Sequence, residues 1–215
     1  IDNLFSCTTH DVIYFFTDQG KVYEKRVWEI PEGSRKSKGQ AIINLINIEQ
    51  GEQVQAFLKR SAKKTKEEKF VFLATAHGQG KRTKLEDFDN IRRTGIIAIG
   101  LKDGDELVDA KMTSGKKHAF LVTKKGKSIK FKETDVRAMG RTAQGVKGID
   151  LKKDDRVLSL EAIPAEKPVP EDKRRKLFRH LLVVTERGLG KRTDAYKYPL
   201  QKRAGVGVKV ANINK

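Results

Sequence analysis

The sequence predicts an all-β chain in which about four copies of a four-stranded unit are set radially, as blades. Three observations carry that prediction. An apolar strand, a glycine turn and a basic strand recur in that order four times. A second glycine, preceded by basic residues, follows each turn glycine after 17 to 19 residues. No segment longer than about ten residues keeps a helical hydrophobic period, so helix content is expected to be low. Internal repeats decide the architecture before any single motif does, and short β-branched and aromatic strands joined by glycine turns suit a radial all-β array.

The hairpins come first in each copy. The first runs Val12-Ile13-Tyr14-Phe15-Phe16, turns at Asp18-Gln19-Gly20-Lys21 and returns through Val22-Tyr23. The second runs Phe70 to Ala74, turns at His77-Gly78-Gln79-Gly80 and returns through Lys81-Arg82-Thr83. The third runs Ala119 to Val122, turns at Lys124-Lys125-Gly126-Lys127 and returns through Ser128 to Phe131; the fourth runs Leu181 to Val184, turns at Glu186-Arg187-Gly188 and returns through Lys191-Arg192-Thr193. Glycine in such turns supplies the backbone conformation that a tight hairpin requires.

The second glycines are Gly39, Gly95, Gly145 and Gly205, which makes the repeat roughly 50 to 60 residues long. Strand-like runs follow them at Ala41-Ile43, Ile96-Ile99, Val146-Ile149 and Val206-Val208. In the first three copies a polar turn and a last strand come next, starting near Val54, Leu107 and Val157; the fourth copy reaches Lys215 before its last strand. The repeats span roughly residues 1–58, 59–110, 111–160 and 161–215 of one domain. Lys59 to Lys69 and the proline-bearing stretch from Pro164 to Arg175 read as exposed loops between blades.

Charge narrows the partner. Lys and Arg number 46 against 28 Asp and Glu, a net charge of +18. A folded domain this basic repels itself and calls for a polyanion, nucleic acid first and an anionic membrane surface second. No apolar run approaches the ~20 residues of a spanning helix, and the first residues carry no basic-then-apolar signal pattern. The first residue is Ile1, not Met, which reads as a start inside a longer protein. The single cysteine, Cys7, cannot form an internal disulfide, fits a reducing cytoplasm and is expected to be a small buried residue.

Catalytic chemistry finds no support. His10, His77, His118 and His180 lie in or beside strands at similar repeat positions, with no ligand cluster around them, so no metal and no cofactor are expected. A phosphate-binding loop at Gly80-Lys81 or Gly190-Lys191 would need glycine where Thr75 and Thr185 stand, and Ser or Thr where Arg82 and Arg192 stand. Asp103, Asp105, Asp154 and Asp155 read as turn residues favouring local backbone geometry. Trp28, Phe88 and Tyr198 read as blade core.

The basic residues instead recur at matched positions, as duplex DNA demands of a protein that follows its phosphates. The expected DNA-binding set is Arg35, Lys36, Lys38, Lys81, Arg82, Lys84, Arg92, Arg93, Lys130, Lys132, Arg137, Arg141, Lys147, Lys191, Arg192, Lys202 and Arg203. Gly39, Gly95 and Gly145 would let backbone approach phosphate, and would equally serve tight turns.

Two long segments carry a family resemblance. Val27-Trp28-Glu29-Ile30-Pro31-Glu32-Gly33-Ser34-Arg35, continuing through Gly39 to Leu45, and Val136-Arg137-Ala138-Met139-Gly140-Arg141-Thr142-Ala143-Gln144-Gly145-Val146-Lys147-Gly148-Ile149 resemble signatures of the C-terminal domain of the DNA gyrase A protein. Gly190-Lys191-Arg192-Thr193 with Tyr198-Pro199 resembles the next blade, so the likeness runs the length of the chain. The resemblance implies a β-pinwheel, typically of six blades, whose outer rim wraps double-stranded DNA and which bends it for the strand-passage core of an ATP-hydrolysing type II topoisomerase. It implies that the chain itself carries no catalysis, and that its partners are DNA, the rest of the gyrase A protein and, through it, the gyrase B protein in the bacterial cytoplasm, with no membrane. The family's Gln-Arg-Arg-Gly-Gly-Lys-Gly box, which fastens the wrap, would fall just upstream of Ile1, and the last one or two blades beyond Lys215. The paralogous topoisomerase IV protein carries a degenerate version of the domain and is the first alternative. An RNA-binding β module is the second: single-strand readers set aromatics among exposed basic residues, whereas here aromatics fall mainly in strands. A protein-interaction propeller is the third, and would predict a less one-sided charge.

Overall fold

The computed structural model describes residues 4–62, 68–166 and 179–211. Among them are fourteen strands, five 3-10 turns and no α-helix. Four antiparallel hairpins form the frame: β1 (Val12–Thr17) with β2 (Lys21–Arg26), β4 (Phe70–Thr75) with β5 (Gln79–Lys84), β8 (Lys117–Thr123) with β9 (Lys127–Lys132), and β12 (His180–Val184) with β13 (Gly190–Asp194). Each occupies the segment its sequence pattern marked.

The blades are completed by exchange. On one side of each of the first three hairpins lies the last strand of the same repeat: β3 (Val54–Arg60), β7 (Leu107–Thr113) or β11 (Val157–Pro164). On the other side lies a two-residue strand from the next repeat: β6 (Ile96–Ile97) on β2, β10 (Val146–Lys147) on β5 and β14 (Val208–Lys209) on β9. The orders are therefore β3-β1-β2-β6, β10-β5-β4-β7 and β11-β8-β9-β14, with β12-β13 a two-stranded sheet among the described residues. β7 packs against both β3 and β11, which puts the long last strands at the centre of the array and the exchanged strands at its outer edge.

This arrangement explains why β4 and β8 are apolar on both faces. The second and third blades are sandwiched between neighbours, and a strand covered on both sides reads as a continuous hydrophobic run. The other face of β1 is covered instead by Ile46 with the half-buried Ile30, Ile42 and Ile48, and on β12 Leu182 and Val184 are exposed. Alternate residues then enter different cores. Val71 and Leu73 join Tyr14, Phe16 and Phe88 between the first two blades, whereas Phe72 and Ala74 join Leu121, Ile129 and Phe131 between the second and third. Phe88, wholly buried, meets the rings of Tyr14 and Phe16 at 6.4 and 6.1 Å; burying such a ring contributes roughly 1.5–3 kcal/mol. Tyr198 is also core, edge-on to Phe120 at 5.0 Å.

The acidic turns do more than favour local geometry. Asp105 accepts from the Thr75 hydroxyl (2.7 Å) and the His77 amide (2.8 Å), and Asp155 from the Thr123 hydroxyl (2.7 Å) and the Lys125 amide (2.9 Å). Glu52 accepts from the Thr17 hydroxyl in the first repeat. Each acid clasps the start of a central strand to the turn of its own hairpin.

Several expectations are corrected. Ala41-Ile43 is not a strand; Ile42–Asn44 is a 3-10 turn. Its counterparts pair with the hairpin of the preceding repeat, and no such hairpin exists among the described residues. Lys59 and Arg60 belong to β3 and Pro164 to β11, not to loops; residues 63–67 of the first insert and 167–175 of the second lie outside the described residues. Gly207, with φ of +68°, precedes β14 as Gly145 precedes β10, so it and not Gly205 is the fourth repeat glycine. Cys7 is exposed, not buried, and Trp28, 60% exposed, is not core.

Candidate nucleic-acid interface

The segment between each hairpin and its exchanged strand runs along the outer edge of the array, and most of the expected basic residues ride on it. It starts with a 3-10 turn directly after the last residue of the hairpin, as at Leu85–Phe88 and Glu133–Asp135. It ends on the positive-φ glycine before the exchanged strand. Arg35, Arg141 and Arg203 each stand four residues before that glycine.

Arg35, Lys36, Lys38, Lys84, Arg92, Arg93, Lys132, Arg137, Lys147, Lys191, Arg192 and Lys202 are exposed. Lys84 is paired with Glu86 at 3.0 Å, and Lys147 with Asp150. Exposed pairs of this kind are worth little and exchange readily for another anion. Arg82 is half-buried, with its guanidinium 4.7 Å above the Phe70 ring. Arg203 donates through Nε to the Asp135 carbonyl and through Nη1 to that of Lys147, both at 3.1 Å.

Two lysines are misplaced by the sequence reading. Lys81 is 0% and Lys130 5% exposed. The Lys81 ammonium donates to the carbonyls of Ala98, at 2.8 Å, and Arg141; that of Lys130 donates to the carbonyl of Ala195 at 3.1 Å. Burial pushes both below the ordinary lysine range, and Lys81, which also faces the Arg141 charge, falls to about 7. A side chain enclosed between blades does not reach a phosphate, so both are withdrawn from the contact set. Gly145 is half-buried, and a side chain there would strike the Gly80 carbonyl, so its smallness serves the close approach of β10 to β5.

The structure also adds residues. A groove of about 420 Å³ is lined by Lys25 and Arg26 of β2 and by Arg92 and Arg93 from the next repeat, with Glu24 and Glu29 on its wall. Arg26 occupies the position of Lys84 and Lys132, so aligning the hairpins would have found it. Lys209, exposed on β14, matches Lys147 on β10. Consecutive repeats thus place exposed cations at equivalent points of one edge, and their summed field favours a linear polyanion.

Comparison with known proteins agrees with this geometry. The profile of a family described as the DNA gyrase C-terminal domain, a beta-propeller, matches residues 11–59, 69–114, 117–164 and 179–215. The chain is 43% identical over 208 residues to the DNA gyrase A protein of Salmonella typhimurium and 39% identical over 213 residues to that of Staphylococcus epidermidis, covering 97% and 99% of this chain. It spans 22% and 23% of the length of those relatives. Among solved structures, the C-terminal domain of DNA topoisomerase IV superposes with a TM-score of 0.77 and that of DNA gyrase A with 0.73, each at 29% identity over 94% of this chain and over 58% and 60% of theirs. The four matched stretches coincide with the four hairpin repeats, and this chain belongs to the family of DNA gyrase C-terminal domains.

Proposed function

We propose that this chain binds duplex DNA along its outer edge and bends it, as the DNA-presenting module of a bacterial, cytoplasmic gyrase A protein that works with the gyrase B protein. The observation that carries the reading is the return of exposed cations at one edge position: Arg26, Lys84 and Lys132 at the hairpin ends, and the arginines and lysines before each exchanged strand. These points lie on a curved edge, so a duplex meets several together only by following the curve. Smooth bending of a 20–30 bp site by 40–90° costs on the order of 1–6 kcal/mol, which several phosphate contacts can offset. The same module of a topoisomerase IV protein is the alternative within the family.

Titration of a labelled duplex at increasing salt tests the reading. Each neutralised phosphate contributes about −0.9 to the log–log slope, so contacts from several blades should give a slope of several units and little sequence preference. A flat salt response would refute it. One observation favours a second reading: Trp28 is exposed among basic residues, as in single-strand binders. Competition by a single-stranded oligonucleotide as effective as duplex would select that reading.

A further inference from the structure

We propose that Lys81 is a positioning residue for DNA binding: together with Gly100 it seats segment 137–145 against the second blade in the conformation that presents Arg137 and Arg141. The proposal rests on the reading of the outer edge as a duplex-binding surface.

Lys81 ties two closures together. Ala98 follows β6, which closes the first blade, and Arg141 lies on the segment leading to β10, which closes the second; one ammonium donates to the carbonyls of both. The rest of the segment is held from the same side. The Met139 amide donates to the Arg82 carbonyl at 2.8 Å, and the Gly100 amide to the Ala143 carbonyl at 3.1 Å. A side chain on Gly100 would overlap the Thr142 carbonyl oxygen, and Gly100 has ordinary negative-φ backbone, so its smallness serves this approach.

Packing alone does not call for a lysine here. The residues in the same register of the first and third hairpins are Tyr23, opposite Phe15, and Ile129, opposite Leu121, where Lys81 stands opposite Leu73. Both are buried and apolar or aromatic. A buried cation without a carboxylate partner is costly, and a hydrophobe of similar volume is commonly as stable or better. What lysine adds at this junction is a pair of N–H donors aimed at two carbonyls. A neutral amine has two N–H groups and satisfies both, which accords with the depressed proton affinity of this group, where burial and Arg141 act downward and Asp87 upward. Lys191, in the identical Gly-Lys-Arg-Thr context of the fourth repeat, is exposed, and no exchanged strand lies on β13 among the described residues.

The test is a double-mutant cycle in the 215-residue chain, with anisotropy of a fluorescein-labelled duplex at fixed salt and thermal melting of the free protein. Lys81→Met keeps the volume and removes the donors. It should weaken DNA binding roughly three- to tenfold, and in an Arg141→Ala background it should add less than about twofold, because the two act through one segment. A Lys81→Met chain that melts lower but binds duplex as the wild type does, or whose loss adds fully to that of Arg141→Ala, overturns the proposal. If Lys81→Met fails to fold, Gly100→Ala decides: binding lost in an Arg141-dependent manner supports the seat, and unchanged binding overturns it. Hydrogen exchange separates this proposal from the reading beneath it. If the wild type binds no duplex, the functional reading fails, and the seat stands only if exchange of the Met139 and Ala143 amides speeds up in Lys81→Met.

Discussion

Gly145 and Gly39 hold equivalent places in their repeats and nearly the same backbone, with φ of +85° and +75°, yet their surroundings differ. At Gly39 an added Cβ meets nothing within 4 Å; at Gly145 it would lie 2.8 Å from the Gly80 carbonyl oxygen and 3.2 Å from Lys81 Cβ. Alanine in left-handed backbone costs roughly 1–2 kcal/mol, and that is the whole expected cost of Gly39→Ala. Gly145→Ala adds a contact that only a shift of β10 away from β5 relieves, and β10 holds β5 through just two paired positions, Val146 with Gly80 and Lys147 with Gln79. Overpacking of this kind costs about 1–3 kcal/mol, so Gly145→Ala should total roughly 2–5 kcal/mol. In a chain of this size about 2–4 °C of melting temperature accompany each kcal/mol. Thermal and urea unfolding of both variants, followed by circular dichroism, measures the difference. Equal losses would mean that the close approach of exchanged strand to hairpin is not what requires glycine, and that the exchange contributes little to stability.

Charge reversal of Arg92 and Arg93, which line the groove at the first blade, should weaken duplex binding more than reversal of Lys152 and Lys153, exposed in the turn before β11; equal losses would show that bulk charge holds the DNA. Trp28, the single tryptophan, should emit as a solvent-exposed indole and be quenched by acrylamide, and saturating duplex should reduce that quenching; an unaltered quenching constant would place the DNA away from the 27–38 segment. Lys81 supplies a pH signature. Its proton affinity falls from 10.5 in the unfolded chain to about 7 in the folded one. Between those values the unfolded state holds more protons, so stability should rise with pH over that window. Urea midpoints at about pH 7 and about pH 9.5 should differ more for the wild type than for Lys81→Met, and parallel curves would show that the amine is not desolvated.

The hairpins were legible because their apolar runs, glycine turns and lengths are local signals. Strand exchange was not. A two-residue strand such as Val146–Lys147 looks the same whether it closes its own blade or its neighbour's, and nothing in its composition names the partner. Lys81 could have been placed by alignment, since Tyr23 and Ile129 at its position are a core aromatic and a core aliphatic. Lys130 could not, because Glu24, Arg82 and Arg192 make its position polar in every copy. Trp28 aligns with Glu86 and Thr134 but also with Tyr196, which packs against a core, so the column is mixed and a lone tryptophan in a strand-rich chain invites the buried reading. The fourth glycine was ambiguous by spacing, and the arginine four residues earlier is the better guide.

Strand exchange gives the chain a direction in time. About 70 residues separate the end of β2 from its closing strand β6, which at synthesis rates of 5–20 residues per second is a wait of roughly 4–14 s. Throughout that interval one edge of the newborn hairpin is unpaired, and an unpaired edge is a template for misassembly. Each of the three strands closed in this way is basic: Lys21, Lys25 and Arg26 on β2; Lys81, Arg82 and Lys84 on β5; Lys127, Lys130 and Lys132 on β9. Lysine on an edge strand discourages pairing with another chain. The cations of these strands, Lys81 and Lys130 that the finished blades bury as well as those left exposed, therefore guard the open edge until its closing strand arrives.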